Sequence, residues 1–156
     1  MKKLKENERL YWKKYLISLP ENERPVNPNV DVAFAGNKDM TDELLKLYLC
    51  GKKTAGSSIV EDYLSTGEAL PQVGNFWIYL DSSSEPCCIL RTEKIVINKF
   101  KSVPAEIAIA EGEGDLSLES WRQIHGEIYS PFLSKWGIAN IDDARVITEF
   151  FQLVYK

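Results

Sequence analysis

Phe76-Trp77-Ile78-Tyr79-Leu80, then Asp81-Ser82-Ser83-Ser84-Glu85-Pro86, then residues 87–97 opening with Cys87-Cys88-Ile89-Leu90, is the stretch whose reading decides the fold. Its flanks are rich in aromatic and β-branched side chains, which suit a pleated, half-buried surface. The polar segment between them suits a hairpin loop, so two antiparallel strands are predicted. Working upstream, residues 30–35 read as a short strand. A helix then starts near Asp39 or Thr41, either of which can cap exposed backbone donors, and runs through Leu44, Leu45, Tyr48 and Leu49 to Gly51, a natural stop. Nearer the N-terminus, Trp12, Tyr15, Leu16 and Leu19 recur at helical spacing until Pro20 ends the pattern.

Residues 59–64 suit a further short helical piece, and Gly67, Pro71 and Gly74 mark turns. Downstream of the hairpin a short helix is predicted over 104–110. After the acidic run Glu111-Gly112-Glu113-Gly114-Asp115, Ser117 is placed to cap a helix carrying Leu118, Trp121, His125 and Ile128 on one stripe. Residues 145–155 alternate and read as a closing strand. The division expected is an N-terminal helix and connector over 1–29 and the main domain over 30–156. Strands interleaved with helices and joined by an antiparallel hairpin predict an α+β fold or small barrel, not a doubly wound parallel sheet.

A chain of 156 residues with 44% hydrophobic and 27% charged residues supports one ordinary globular core. The net charge of −4 argues against tight, sequence-independent binding to duplex nucleic acid, because that affinity comes from many Lys and Arg neutralising phosphates. No stretch has the roughly 20 consecutive apolar residues of a membrane span. The start, Met1-Lys2-Lys3-Leu4-Lys5-Glu6, lacks the apolar run of a signal peptide, so a cytoplasmic protein without a membrane partner is expected. Cys87 and Cys88 are neighbours on a strand and Cys50 is distant, so no disulfide framework is readable. With His125 the single histidine, multi-histidine zinc patterns are excluded, whereas carboxylate-held magnesium or calcium is not. No cofactor is expected.

Two segments carry candidate chemistry. Lys52-Lys53-Thr54-Ala55-Gly56-Ser57-Ser58 is polar and small, and it reads as a loop outside the core, either a ligand loop or a solvated one. On a helical or turn-like path Lys53 and Ser57 share a face; on an extended path they still do, but roughly 13 Å apart, too far for one reacting atom. The acidic run places carboxylates at Glu111, Glu113 and Asp115, separated by glycines that allow close backbone approach. An EF-hand fails, since its sixth and twelfth positions would be Leu116 and Arg122. Clustered carboxylates raise one another's pKa, which suits an acid or base; the bland alternative is a solvated loop before a helix cap. If the two segments converge, nearby carboxylates keep Lys53 charged, and an ammonium suits oxyanion stabilisation while a carboxylate moves protons. His125 reads as a half-buried, hydrogen-bonded side chain before it reads as catalytic. Trp121 is core or binding wall. Arg91 either faces solvent or forks onto a carboxylate or phosphate.

At these residues the sequence resembles the ASCH domain family, particularly its longer bacterial branch. The resemblance rests on Ala33-Phe34, Leu44-Leu45, Gly51-Lys52-Lys53-Thr54-Ala55, Leu70-Pro71-x-Val73-Gly74, Leu90-Arg91-Thr92, and the run from Ala110 through Asp115 to Ser117-Leu118-Glu119-x-Trp121-Arg122, followed by His125. It covers residues 30–156 and implies a PUA-like β-barrel with flanking helices, related to RNA-binding modules. Of the family motif G-x-K-x-x-T-x-R, Gly51 and Lys53 match, while Gly56 stands at the threonine position and Ser58 at the arginine position. Compact members described as amidohydrolases of 4-acetylcytidine are credited with a lysine, a threonine and a glutamate; the lysine carries over to Lys53 and the glutamate to Glu113, with Glu111 the neighbouring option.

The resulting expectation is a nucleoside-, nucleotide- or RNA-directed pocket, with amidohydrolysis of modified nucleosides as its activity. Lys53, Glu113 and Ser57 form its catalytic set, and Thr54, Ser58, Arg91, Glu111, Asp115, Trp121 and His125 bind substrate. The partner is then a nucleoside- or nucleotide-like small molecule or single-stranded RNA. Two alternatives stand beside it: an RNA-binding module without catalysis, in which Lys52, Lys53 and Arg91 meet phosphates and Trp121 stacks a base, and a metal-assisted ribonuclease.

Overall fold

The computed structural model describes residues 3–156. In chain order its regular elements are α1 (Glu6–Ser18), β1 (Val30–Phe34), α2 (Thr41–Leu49), β2 (Ala55–Ile59), α3 (Val60–Thr66), β3 (Phe76–Leu80), β4 (Pro86–Lys99), α4 (Ala105–Glu111), α5 (Leu118–Tyr129) and β5 (Arg145–Tyr155), joined in places by single 3₁₀ turns. The strands follow the order β1-β3-β4-β5-β2 in a mixed sheet. The β1/β3 pair is parallel, and β3/β4 and β2/β5 are antiparallel. The class is α+β, and β3 and β4 form the expected hairpin.

Two compact units divide the chain. The first takes in the chain up to Gly51 together with Val73–Glu93 and Phe151–Lys156. Here the sequence patterns act as predicted: Tyr15 of α1 packs with Val30, Phe76, Ile78, Leu80 and Ile89, and Trp12 meets Phe76 edge to face. Leu44, Leu45 and Tyr48 of α2 pack with Tyr79, Cys88 and Leu90. Neither Asp39 nor Thr41 caps α2. Met40 holds the cap position without a side-chain bond, and the Asn37 carboxamide accepts from the Asp39 and Met40 amides instead. Thr41 is fully buried, its hydroxyl donating to the carbonyls of Ala35 and Asn37. Gly51, at φ +81°, follows α2 as expected.

The second unit, Lys52–Gln72 and Lys94–Phe150, has its own core of Ile59, Phe100, Val103, Ile107, Ala108, Trp121, Tyr129, Ala144 and Val146. It corrects one expectation outright. The segment after Gly51 is no solvated loop, because Ala55–Ile59 is strand β2, paired in register with β5, and Ala55 and Ile59 are buried at its two ends. Small polar side chains obscured the strand: what makes it one is the partner it finds along Val146–Phe150, which no local pattern shows. The α5 stripe is also shifted, since Trp121, His125 and Tyr129 are buried while Ile128 is 44% exposed. Ser117 caps α5 by accepting from the Ser120 amide at 3.1 Å. Ser117→Ala is therefore expected to cost about 1 kcal/mol, read as a lower midpoint in urea with an unchanged slope.

Candidate active site

The second unit brings the polar segment and the acidic run together. The Thr54 amide and hydroxyl both donate to the Ala110 carbonyl, at 2.7 and 3.3 Å, fastening the start of β2 to the end of α4. One residue past α4, Gly112 turns the chain at φ +68°. A Cβ there would lie 2.2 Å from the Lys52 carbonyl oxygen and 3.0 Å from the Lys53 nitrogen. The acidic run is thus packed directly on the Lys52-Lys53 backbone, an approach that only glycine permits.

Lys53 is buried in the contact. Its ammonium lies 2.9 Å from Glu113 Oε2, 3.3 Å from the Glu111 carbonyl and 3.5 Å from Glu111 Oε1. Glu111, 2% exposed, is the centre of the cluster. Its Oε2 accepts from Ser57 Oγ at 3.2 Å and from the Trp121 indole N–H, and stands 3.5 Å from His125 Nε2. Burial works to raise the Glu111 pKa. The hydrogen bond from His125, the charges of Lys53 and His125, and the Trp121 bond outweigh it and hold the carboxyl below its ordinary value.

The surrounding groups fix these positions. Nδ1 of His125 lies 2.9 Å from the Trp121 carbonyl. A carbonyl only accepts, so Nδ1 carries a hydrogen and Nε2 is the atom turned to Glu111. The imidazole also stacks on the Trp121 ring, with centroids 4.1 Å apart. Ser57 meets Thr148 of β5 across the strand pair, hydroxyl to hydroxyl at 2.8 Å. A carboxylate only accepts, so the order of donation is Thr148 to Ser57 to Glu111. Tyr129 donates from its phenol to the Ser57 carbonyl; burial, with the charges of Glu111 and Glu113, pushes that phenol far above its ordinary value.

Of the residues singled out in the sequence, Lys53, Ser57, Glu111, Glu113, Trp121 and His125 converge. Thr54 is at the edge of the cluster, tied to Ala110. Ser58 points to the other face of β2, as strand alternation requires, and its hydroxyl pairs with Tyr63 at 3.2 Å. Asp115 is exposed and accepts from the Ser117 amide at 2.9 Å, bonds with Ser117 that lower its pKa; it shapes the turn into α5. Arg91 belongs to the first unit, where its guanidinium bonds Glu93 at 2.6 Å and Gln152 at 2.8 Å. Sequence reasoning missed Thr148 and Tyr129. Thr148 is legible only once β2 and β5 are in register, whereas Tyr129 lies one helical turn beyond His125 on the buried stripe. Glu111, Glu113 and His125 each offer an atom suited to a metal, all within 4.8 Å of one another. Among the described residues no helix is long and apolar enough to cross a membrane.

Against known proteins, a family model described as the ASCH domain matches residues 31–155. The chain is similar to the crystal structure of an ASCH domain from Lactobacillus crispatus JV V101, with a TM-score of 0.87 and 26% identity over 100% of this chain and 99% of that one. It is also similar to a protein of Enterococcus faecalis V583, with a TM-score of 0.79 and 28% identity over 96% and 88% of the two chains. No curated protein matches. The fold is accordingly the one expected, α+β and PUA-like, with flanking helices.

Proposed function

The chain belongs to the ASCH domain family, and from that premise we propose that the Lys53 cluster hydrolyses an amide carried by a modified nucleoside. The observation that carries this reading is the placement of the buried Lys53 ammonium 2.9 Å from Glu113, a carboxylate still 18% exposed, and 3.5 Å from Glu111. The two glutamates are suited to different work. Glu111 is enclosed by donors and held below its ordinary pKa, which makes it a poor proton carrier and a good anchor. Glu113 is the carboxylate that water and substrate can reach.

In the reaction proposed, a water oxygen attacks the amide carbonyl carbon and Glu113 takes its proton. The Lys53 ammonium stabilises the oxyanion in place of its 3.5 Å contact to Glu111 Oε1. Collapse breaks the C–N bond, and Glu113 returns the proton to the departing amine. The products are a carboxylic acid and the free amino base. Ser57, whose hydrogen is directed to a weakly basic Glu111, serves as a positioning group and not as the nucleophile. RNA binding without catalysis is the weaker reading, because it needs Lys53 and Arg91 for phosphates while the first is enclosed by carboxylates and the second is bonded to Glu93 and Gln152.

Incubation with 4-acetylcytidine and related nucleoside amides, followed by chromatography for the free nucleoside, tests the proposal. Turnover by the natural chain is expected, with Lys53→Ala and Glu113→Gln each lowering kcat by about 10²–10³-fold. Absence of product in an assay where a compact family amidohydrolase is active would remove the reading.

A further inference from the structure

Glu111, Glu113 and His125 present two carboxylate oxygens and an imidazole nitrogen within 4.8 Å of one another, the donor types that zinc takes in many proteins. Tetrahedral zinc with ligands at about 2.0–2.2 Å separates its donors by roughly 3.3–3.6 Å, so side-chain adjustment alone would bring these three onto one ion. A cation already lies among them. The Lys53 ammonium is 2.9 Å from Glu113 Oε2 and 3.5 Å from Glu111 Oε1, with a further bond to the Glu111 carbonyl at 3.3 Å.

We infer that the Lys53 ammonium holds the place of a divalent metal ion among Glu111, Glu113 and His125 and keeps this cluster free of metal. Lys53 is fixed there by its backbone: the adjoining Thr54 is tied by two bonds to Ala110, and Gly112 packs on the Lys52 carbonyl. Its ammonium is held in turn by Glu113 Oε2, the Glu111 carbonyl and Glu111 Oε1, and swinging aside would give up these contacts. A divalent ion a few ångströms from a buried ammonium is repelled by far more than it would be in water, so the two do not share the site. The inference rests on the geometry of these four side chains and stands apart from the hydrolase reading, although it explains how such a site would work with an ammonium and not a Lewis acid.

The test is zinc binding by calorimetry and by metal content after desalting, on the natural chain and on Lys53→Ala. The natural chain is expected to retain no zinc. Lys53→Ala is expected to bind one ion per chain roughly a hundredfold or more tightly than the natural chain does, and Lys53→Ala/His125→Ala to lose that gain. Zinc bound by the natural chain through Glu111, Glu113 and His125 would overturn the inference. So would a folded Lys53→Ala that gains no affinity, or one whose gain survives His125→Ala. Should Lys53→Ala not fold by itself, recovery of its helical circular dichroism on adding zinc supports the inference, and failure to recover overturns it. None of these readings uses turnover, so loss of the hydrolase proposal leaves the inference standing, and the reverse.

Discussion

Glu111→Ala is expected to destabilise the protein by about 3–5 kcal/mol, the range for removing one partner of a buried ion pair. The size follows from what loses its acceptor. Ser57 Oγ, the Trp121 indole N–H and His125 Nε2 all face Glu111 Oε2, and Lys53 loses its 3.5 Å contact with Glu111 Oε1. Each buried donor left without an acceptor carries its own desolvation cost. Glu111→Gln keeps the volume but turns an amide N–H₂ toward groups that are themselves donors, so it too is expected to lower the denaturation midpoint.

The same carboxylate gives stability a direction in pH. Its pKa in the folded chain lies below the ordinary 4.5, so the unfolded state binds the proton more readily. The contribution of Glu111 is therefore complete well above pH 4.5 and is lost as pH falls through the lower, folded value. Urea unfolding of the natural chain and of Glu111→Gln across this range should show a constant gap at neutral pH that narrows below 4.5. A gap that stays constant down to acid unfolding would mean that the Glu111 charge is not what its neighbours stabilise.

The fold was legible where local pattern and tertiary environment agree. The β3–β4 hairpin, the stripe on α1 and the Ser117 cap of α5 each need only nearby residues, so their sequence signals are strong. Strand β2 does not. Ala55-Gly56-Ser57-Ser58 has the composition of a loop, and its pairing with Val146–Phe150 is a contact across some ninety residues. The same distance hid Thr148. That Lys53 and the acidic run meet was only a condition in the reading of the residues, to which the family resemblance added weight, and the physical reason they meet is the backbone contact at Gly112. Ile128 was misplaced for a simpler reason: a helix turns 100° per residue, and the stripe through Trp121 and His125 continues to Tyr129.

Gly112→Ala carries the second large effect, and it acts on stability and site together. A left-handed backbone costs a residue with a Cβ about 1–2 kcal/mol. At φ +68° that penalty applies in full, before any contact is counted. The added methyl would then lie 2.2 Å from the Lys52 carbonyl oxygen and 2.7 Å from its carbon. These are backbone atoms with no rotamer to escape into, so either α4 or the Lys52-Lys53 segment must move. Such overpacking typically costs a further 1–3 kcal/mol, giving a loss of roughly 2–5 kcal/mol in urea unfolding. The movement separates Lys53 from Glu113, so Gly112→Ala should also share the loss of turnover predicted for Lys53→Ala. Gly67→Ala isolates the clash: Gly67 is likewise left-handed, at φ +73°, but nothing lies within 4 Å of its Cβ position, so it should show the backbone cost alone and leave the site intact. Equal destabilisation by the two substitutions would mean that the contact between the acidic run and the Lys53 backbone is not close-packed.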